Sequence, residues 1–135
     1  MGAVQGQVRT WLRVEGICML AAALLAYRHY EFGWAAFLLF FMAPDLSMLA
    51  YLRGPRIGAA VYNAAHALLA PSLLLAWGLG REPAAVQAAL IWFAHIGLCR
   101  AARFGLKYAD AFDDTHLGTP PFNLPNFLAG LLRRA

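Results

Sequence analysis

Four long apolar segments separated by short polar breaks dominate the pattern along this chain. The segments cover roughly 12–27, 34–52, 57–79 and 84–104, and the breaks read RHYEFG, RGPR and GREP. Three segments approach or exceed the about 20 residues that a helix needs to cross about 30 Å of hydrocarbon. The first is shorter and requires Arg13 and Glu15 to lie at its entrance. Each break combines charged residues with Gly or Pro, as turns do, so the pattern predicts four transmembrane helices.

Breaks this short make consecutive helices antiparallel, so the predicted fold class is all-α, a four-helix transmembrane up-and-down bundle. Basic residues orient it, because cytoplasmic loops carry an excess of Lys and Arg. One side has two, Arg28 and Arg81. The other side holds both termini and nine: Arg9, Arg13, Arg53, Arg56, Arg100, Arg103, Lys107, Arg133 and Arg134. We therefore expect both termini to be cytoplasmic, in a multi-pass protein of a bacterial inner membrane.

Composition supports a membrane protein and argues against a soluble one. Of 135 residues, 61% are hydrophobic and only 13% are charged, against about 25% in soluble domains. The partner is then the lipid bilayer, and a basic rim facing anionic lipid explains the net charge of +4 without nucleic acid. The segment 16–27 follows arginines as in a signal peptide, but YRHYEFGW stands where a small-residue cleavage motif is expected, so we interpret it as a retained helix.

The chain divides into a predicted bundle, 1–108, and a cytoplasmic tail, 109–135. The tail begins with DAFDDTHLGTPPFNLP, which is polar and Pro-rich and predicts a loop. The following NFLAGLLRR has the pattern of a short amphipathic helix lying on the cytoplasmic leaflet.

The string FMAPDLSM interrupts the second apolar segment with a proline and an aspartate. Asp45 lies eight residues inside its cytoplasmic end, which is about 12 Å of helix. His66 and His95 lie ten and eight residues inside theirs, or about 15 and 12 Å. A charge at mid-helix costs about 2.5–3.5 kcal/mol on insertion scales, so such residues should face inward and pair. Pro44 also removes a helix hydrogen bond, and we expect a polar pocket open toward the cytoplasm.

Further polar residues share these helix faces. Tyr62 and Asn63 precede His66 by four and three residues, and Cys99 follows His95 by four. Simpler interpretations stay open: each histidine could bridge helices, Asp45 could pair with Arg53, Arg56 or Arg100, Asn63 could hold helices together, and Cys99 could fill space. Neither cysteine has the spacing of a disulfide framework or a zinc finger.

Two strings, PDLSMLAYLRGPRIGAAVYNAAH and WFAHIGLCRAARFGLKYADAFDDTHLG, resemble a bacterial membrane family known as domain of unknown function 4260, over roughly 12–118. The resemblance implies a small four-helix membrane protein and no established activity, so it transfers no catalytic residue. It groups the polar residues already described with Tyr51, Arg100, Asp114 and His116. The family pattern has an acidic residue where this chain has Cys99, which puts a carboxylate-rich metal site in doubt, although a thiolate could still bind zinc.

The family strings also extend the argument to the tail. Asp114 and His116 have a spacing that can place both side chains on one ion, and the tail could fold back over the cytoplasmic mouth of the bundle. The alternatives are a solvated acidic loop or a clamp between Asp114 and Arg100.

Three functions compete at this point. The first is a metal-dependent membrane enzyme, hydrolase-like, acting on a small-molecule or lipid-like substrate, with zinc, manganese or iron as the ion. The second is a small transporter or proton-coupled channel, which a homo-oligomer could complete, because Asp and His mark such paths. The third is an accessory subunit that holds a cofactor such as haem. The candidate catalytic residues are Asp45, His66 and His95. The candidate metal ligands are the same three residues together with His116. The candidate supporting residues are Tyr51, Tyr62, Asn63, Arg100 and Asp114.

Overall fold

The computed structural model describes residues 4–109 and 115–118, and these are helical with no strand beyond a single bridge between Lys107 and Thr115. Four helical spans are long and apolar enough to cross a membrane, which confirms the predicted number: Gly6–His29, Trp34–Arg53, Pro55–Gly78 and Pro83–Ala101. The antiparallel order of the helices and the cytoplasmic position of the termini stay predictions.

The first and fourth spans are single α-helices, and the two central spans are broken. Helix α1 is Gly6–His29. The second span consists of α2, Trp34–Phe40, and a 3-10 helix, Ala43–Arg53. The third consists of α3, Pro55–His66, and α4, Leu69–Gly78. The fourth is α5, Pro83–Ala101.

Proline explains both breaks. Pro44 cannot donate a hydrogen bond to the carbonyl of Phe40, and α2 ends at that residue. Pro71 cannot donate to the carbonyl of Ala67, which has the extended backbone that closes α3. The indole N–H of Trp92 on α5 donates to the carbonyl of Ala65 at 2.6 Å, which satisfies a backbone group near this break. Each broken span therefore changes direction next to a candidate polar residue.

Helix α1 begins at Gly6, well before the apolar segment that predicts it. At the entrance of that segment, the guanidinium of Arg13 donates from Nε to the carbonyl of Ala101 at 2.9 Å. That carbonyl belongs to the last turn of α5, where no helical N–H is available. A charged side chain near the end of the span thus caps the neighbouring helix.

Two glycines bring α1 and α5 into close contact. A Cβ atom added at Gly16 would lie 2.9 Å from the carbonyl oxygen of Gly97, and one at Gly97 would lie 2.7 Å from the backbone nitrogen of Leu20. Small residues allow such backbone approach between membrane helices. Helix α5 is the most buried span, and its inner face joins a core of Ala23, Tyr27, Phe37, Val86, Leu90, Ile91 and Ala94.

The segment after α5 packs onto the bundle. Lys107 is 5% exposed, and Thr115 and Leu117 are fully buried. The backbone of His116 accepts from Val4 at 2.8 Å, so this segment also contacts the N-terminal end of the chain. The predicted acidic loop and interfacial helix lie outside the described residues.

Candidate metal centre

Three of the four spans each contribute side chains to one polar cluster. It consists of Asp45 at the start of the 3-10 helix, His66 at the end of α3, and His95 and Cys99 on successive turns of α5. One ligand atom from each residue lies within 4.8 Å of the corresponding atoms of the other three. The predicted convergence of Asp45, His66 and His95 is present, and Cys99 joins them.

Four of the six distances between these atoms match the edges of a tetrahedral metal site. His66 Nε2 and His95 Nε2 are 3.2 Å apart, and Asp45 Oδ1 lies 3.4 and 3.3 Å from them. Cys99 Sγ lies 3.4 Å from His95 Nε2, and its distances to the ligand atoms of Asp45 and His66 are at most 4.8 Å. For zinc bonds of about 2.0–2.1 Å to nitrogen or oxygen and about 2.3 Å to sulfur, a tetrahedron has edges of about 3.3–3.5 Å. Asp45, His66 and His95 can therefore contact one ion with little movement, and Cys99 is close enough to complete the set.

The second nitrogen of His66 is committed to the backbone. Its Nδ1 lies 3.0 Å from the carbonyl oxygen of Tyr62, one turn earlier on α3. A carbonyl only accepts, so Nδ1 carries the proton and Nε2 of the neutral ring keeps its lone pair for the cluster. Such a hydrogen bond to the remote nitrogen is typical of metal-binding histidines, whose tautomer and orientation it sets.

His95 makes its polar contacts through Nε2 alone. The ring is 1% exposed, and its buried Nδ1 has no hydrogen-bond partner among the described residues. Phe41 packs edge-on against it, with ring centroids 5.4 Å apart. The orientation of this imidazole is therefore set by apolar packing and by the cluster itself.

Burial differs among the cluster residues. The side chains of His66 and His95 are 3% and 2% exposed, whereas that of Asp45 is 33% exposed. Asp45 and Cys99 are thus the two partly exposed members of the cluster, whereas both imidazoles are buried.

Three of the five predicted supporting residues, Tyr51, Tyr62 and Asn63, form a layer behind His66. The ring of Tyr62 stacks on His66 with centroids 3.8 Å apart. The ammonium of Lys107 lies 4.9 Å from the centroid of the same Tyr62 ring and 5.8 Å from the centroid of the Tyr51 ring. Asn63 holds the same lysine by its backbone, donating from Nδ2 to the carbonyl at 2.8 Å and accepting from the N–H at 2.7 Å. This layer ties the segment after α5 to the helix that carries His66.

Another predicted ligand, His116, is not among the grouped residues. Its Nδ1 accepts a hydrogen bond from the backbone N–H of Leu106 at 2.9 Å. Burial lowers the pKa of His116, and the positive charge of Arg100 acts in the same direction. Asp45 forms its ion pairs with the two histidines, and within 4–109 and 115–118 no arginine pairs with it. Asp114 lies outside the described residues.

Cys99 is the cluster residue that the sequence interpretation left out of its site. The signal was present, because Cys99 follows His95 by one helical turn on the same face. An isolated cysteine in an apolar helix is usually a small hydrophobic residue, and only the packing of α5 against the other spans shows that its sulfur faces the two imidazoles.

Comparison with known proteins gives one match. No curated protein and no solved structure matches the chain significantly. The family described as "Domain of unknown function (DUF4260)" matches residues 9–119, which include the whole cluster, the second to fourth spans and all but the first three residues of the first span. That description names no activity. The chain therefore belongs to the DUF4260 family, and it is a membrane protein with a compact Asp, His and Cys cluster between its helices.

Proposed function

We propose that this protein is a metal-dependent membrane enzyme of the hydrolase type, with one divalent ion held by Asp45, His66, His95 and Cys99. The observation that supports it is the convergence of four donor atoms from three spans within 4.8 Å of one another. Polar groups inside a membrane span are costly to insert, and pairwise hydrogen bonds between helices would be enough to satisfy them. The convergence of four such groups at one point is therefore more than a structural role requires.

The donor set favours zinc among the ions considered. Two imidazole nitrogens, one carboxylate oxygen and one thiolate are borderline to soft ligands, whereas manganese prefers sites rich in oxygen. Zinc also accepts tetrahedral geometry, which the distances between the atoms match. The Cys99 thiol would lose its proton on binding the ion.

Zinc bound at these residues would supply the chemistry of hydrolysis, because it lowers the pKa of a bound water to about 7 and polarises a carbonyl or phosphoryl oxygen. Four protein ligands fill a tetrahedral site, so water would need a position that one of them can vacate. Asp45 would supply it, because its carboxylate is one-third exposed and stands at the first turn of a helix that follows a break. That carboxylate, once displaced, would accept the proton of the attacking water and pass it to the leaving group.

The geometry argues against the two other functions. Axial ligands of one haem lie on opposite sides of the iron, with nitrogens about 4 Å apart for bonds of about 2.0 Å, but the two Nε2 atoms are 3.2 Å apart. A proton relay is a chain in which each group contacts the next. Here the carboxylate contacts both imidazoles and the imidazoles contact each other, so the groups surround a point.

The first experiment measures metal in protein purified in mild detergent. We expect roughly one zinc per chain in the wild type and much less in His66→Ala and Cys99→Ser. His29→Ala and Cys18→Ser are matched controls, because both residues lie exposed on α1, and they should keep the ion. His116→Ala tests the remaining predicted ligand and should keep it as well. No metal in the wild type, or equal metal in His66→Ala and His29→Ala, would overturn the proposal.

The second experiment separates an enzyme from a metal-stabilised scaffold. Wild-type protein in vesicles should hydrolyse a fluorogenic fatty-acyl ester, lose that activity with a chelator and regain it with zinc. Asp45→Asn should reduce the rate far more than it reduces metal content, because it retains an oxygen donor but not the base. Metal binding without hydrolysis of carboxylic or phosphate esters would contradict the catalytic role.

We also propose that the protein resides in a bacterial inner membrane with both termini cytoplasmic. The support is the distribution of basic residues, nine on the side of the termini and two on the other. Green fluorescent protein fused to the C-terminus should fluoresce, and alkaline phosphatase fused there should be inactive. The opposite pair of results would reverse the orientation and place the cluster nearer the outer side.

A further inference from the structure

A groove of 520 Å³ lies between the second span, the third span and α5. Its wall contains the sequence neighbours of two cluster residues, Pro44 before Asp45 and Ala65 before His66. It also contains Ile91, one helical turn before His95. These three positions make the groove a neighbour of the Asp, His and Cys cluster at membrane depth, although the cluster residues themselves are not part of its wall.

The surface of the groove is apolar. Five of its residues are alanines, whose short side chains leave the space open: Ala36, Ala43, Ala65, Ala84 and Ala88. Its three polar side chains direct their donors into the protein. Ser47 donates to the carbonyl of Pro44 at 2.6 Å, Gln87 to the hydroxyl of Tyr27 at 2.8 Å, and Trp92 to a backbone carbonyl. A ligand in the groove meets hydrocarbon surface and few free hydrogen-bonding groups.

The volume of the groove favours a narrow hydrocarbon chain over a partner helix. One turn of a helix, about 10 Å across and 5.4 Å long, fills about 420 Å³, so the groove holds little more than a single turn of a partner helix. It falls within the range of about 300–1,000 Å³ that small-molecule sites occupy. A hydrocarbon chain is narrow enough to lie along it, and the surrounding solvent at this depth is itself made of such chains.

We infer that this groove binds the hydrocarbon chain of a single-chain amphiphile whose oxygen-bearing head, a carboxylate or carboxylic ester, reaches the cluster. The inference rests on the proposed function and names its substrate class: a fatty-acyl compound drawn from the membrane. The chain packs against the alanine-lined wall by van der Waals contact, because transfer from bilayer hydrocarbon into an apolar groove supplies no hydrophobic gain. The partly exposed Asp45 marks the end at which the head is bound.

The test uses the fluorescence of Trp92, which lines the groove. The other three tryptophans, Trp11, Trp34 and Trp77, are about half exposed or more and can be replaced by phenylalanine. The probe is a brominated fatty acid, whose bromine atoms quench a tryptophan that they contact, added to phosphatidylcholine vesicles that contain the protein. We expect quenching that saturates at a low mole fraction of the probe and is competed by unbrominated fatty acid.

Two leucine variants locate the site. Ala88→Leu narrows the groove and should weaken binding at least tenfold. Ala60→Leu is the matched control, because Ala60 is also an exposed alanine of a membrane span and does not line the groove; it should bind as the wild type does. Both residues point outward from the bundle, so neither change should prevent folding.

The outcomes separate this inference from the metal proposal. Saturable quenching of zinc-free protein, lost in Ala88→Leu, upholds the groove whatever the metal analysis gives. Zinc should then tighten binding of the fatty acid in the wild type but not in His66→Ala. Quenching that rises in proportion to the probe and is equal in the two leucine variants would overturn the inference, because Trp92 would then contact only bulk lipid.

Discussion

The contact between Gly97 and helix α1 makes a quantitative prediction about both stability and metal binding. In Gly97→Val, the new Cβ would lie 2.7 Å from the backbone nitrogen of Leu20 and 2.8 Å from the carbonyl oxygen of Gly16. Ordinary contacts begin at 3.4 Å, so α1 and α5 must separate by about 0.7 Å, the difference between 3.4 and 2.7 Å. Backbone atoms cannot move aside as a flexible side chain can, so the helices must shift as units.

The cost follows from this separation. Overpacking costs about 1–3 kcal/mol, and the better helix propensity of valine returns at most about 0.5 kcal/mol. We therefore expect Gly97→Val to lose about 0.5–3 kcal/mol of unfolding free energy. Gly97 also lies two residues from His95 and two from Cys99. Metal sites tolerate ligand displacements of about 0.2 Å, so a shift of about 0.7 Å should weaken zinc binding at least tenfold.

The assay combines unfolding in mixed detergent micelles, followed by circular dichroism, with zinc competition against a chromophoric chelator. Gly33→Val is the matched control, because Gly33 has an extended backbone and nothing within 4 Å of an added Cβ. It should behave as the wild type does. If Gly97→Val unfolds at the same detergent fraction as Gly33→Val and binds zinc equally well, the close helix contact does not position the ligands and the reasoning is refuted.

Three further predictions concern the elements around the site. Asn63→Ala removes both hydrogen bonds to the backbone of Lys107 and should lower the free energy of unfolding by about 1–3 kcal/mol. The amide of Lys107 should then exchange faster while exchange in α1 is unchanged, and equal exchange at Lys107 in the variant and the wild type would show that these two hydrogen bonds are dispensable. Trp92→Phe leaves the carbonyl of Ala65 without its indole donor and should cost about 1 kcal/mol in the same micelle assay, whereas Trp77→Phe, at an exposed site, should cost almost nothing. Burial lowers the pKa of His116, so the unfolded chain binds more protons at this residue than the folded chain does. The neutral imidazole contributes fully to stability above about pH 6.5, and that contribution is lost as the pH falls through the lower folded pKa. His116→Gln should therefore reduce the pH dependence of the free energy of unfolding.

The sequence by itself determined the four spans and the interruption of the second at Pro44. Apolar length is a one-dimensional property, and proline removes a hydrogen bond from a residue four positions earlier whatever surrounds it. The sequence also placed Asp45, His66 and His95 near one depth, from the constant rise per residue of an α-helix. Asp45 lies on a 3-10 helix, Ala43–Arg53, whose rise of about 2.0 Å per residue places it about 16 Å from Arg53 rather than about 12 Å. The ends of the helices were less predictable, because α1 begins at Gly6, well before the apolar segment that predicts it.

Only the tertiary structure decided which side chains meet. The direction of a side chain around its helix axis depends on how the helices rotate against one another, and that rotation is set by contacts between distant residues such as Gly16 and Gly97. Rotation brings Cys99 into the cluster, leaves His116 bonded to a neighbouring backbone group, and opens an alanine-lined groove beside Asp45. Depth is a local property of the chain, but convergence is a property of the packed bundle.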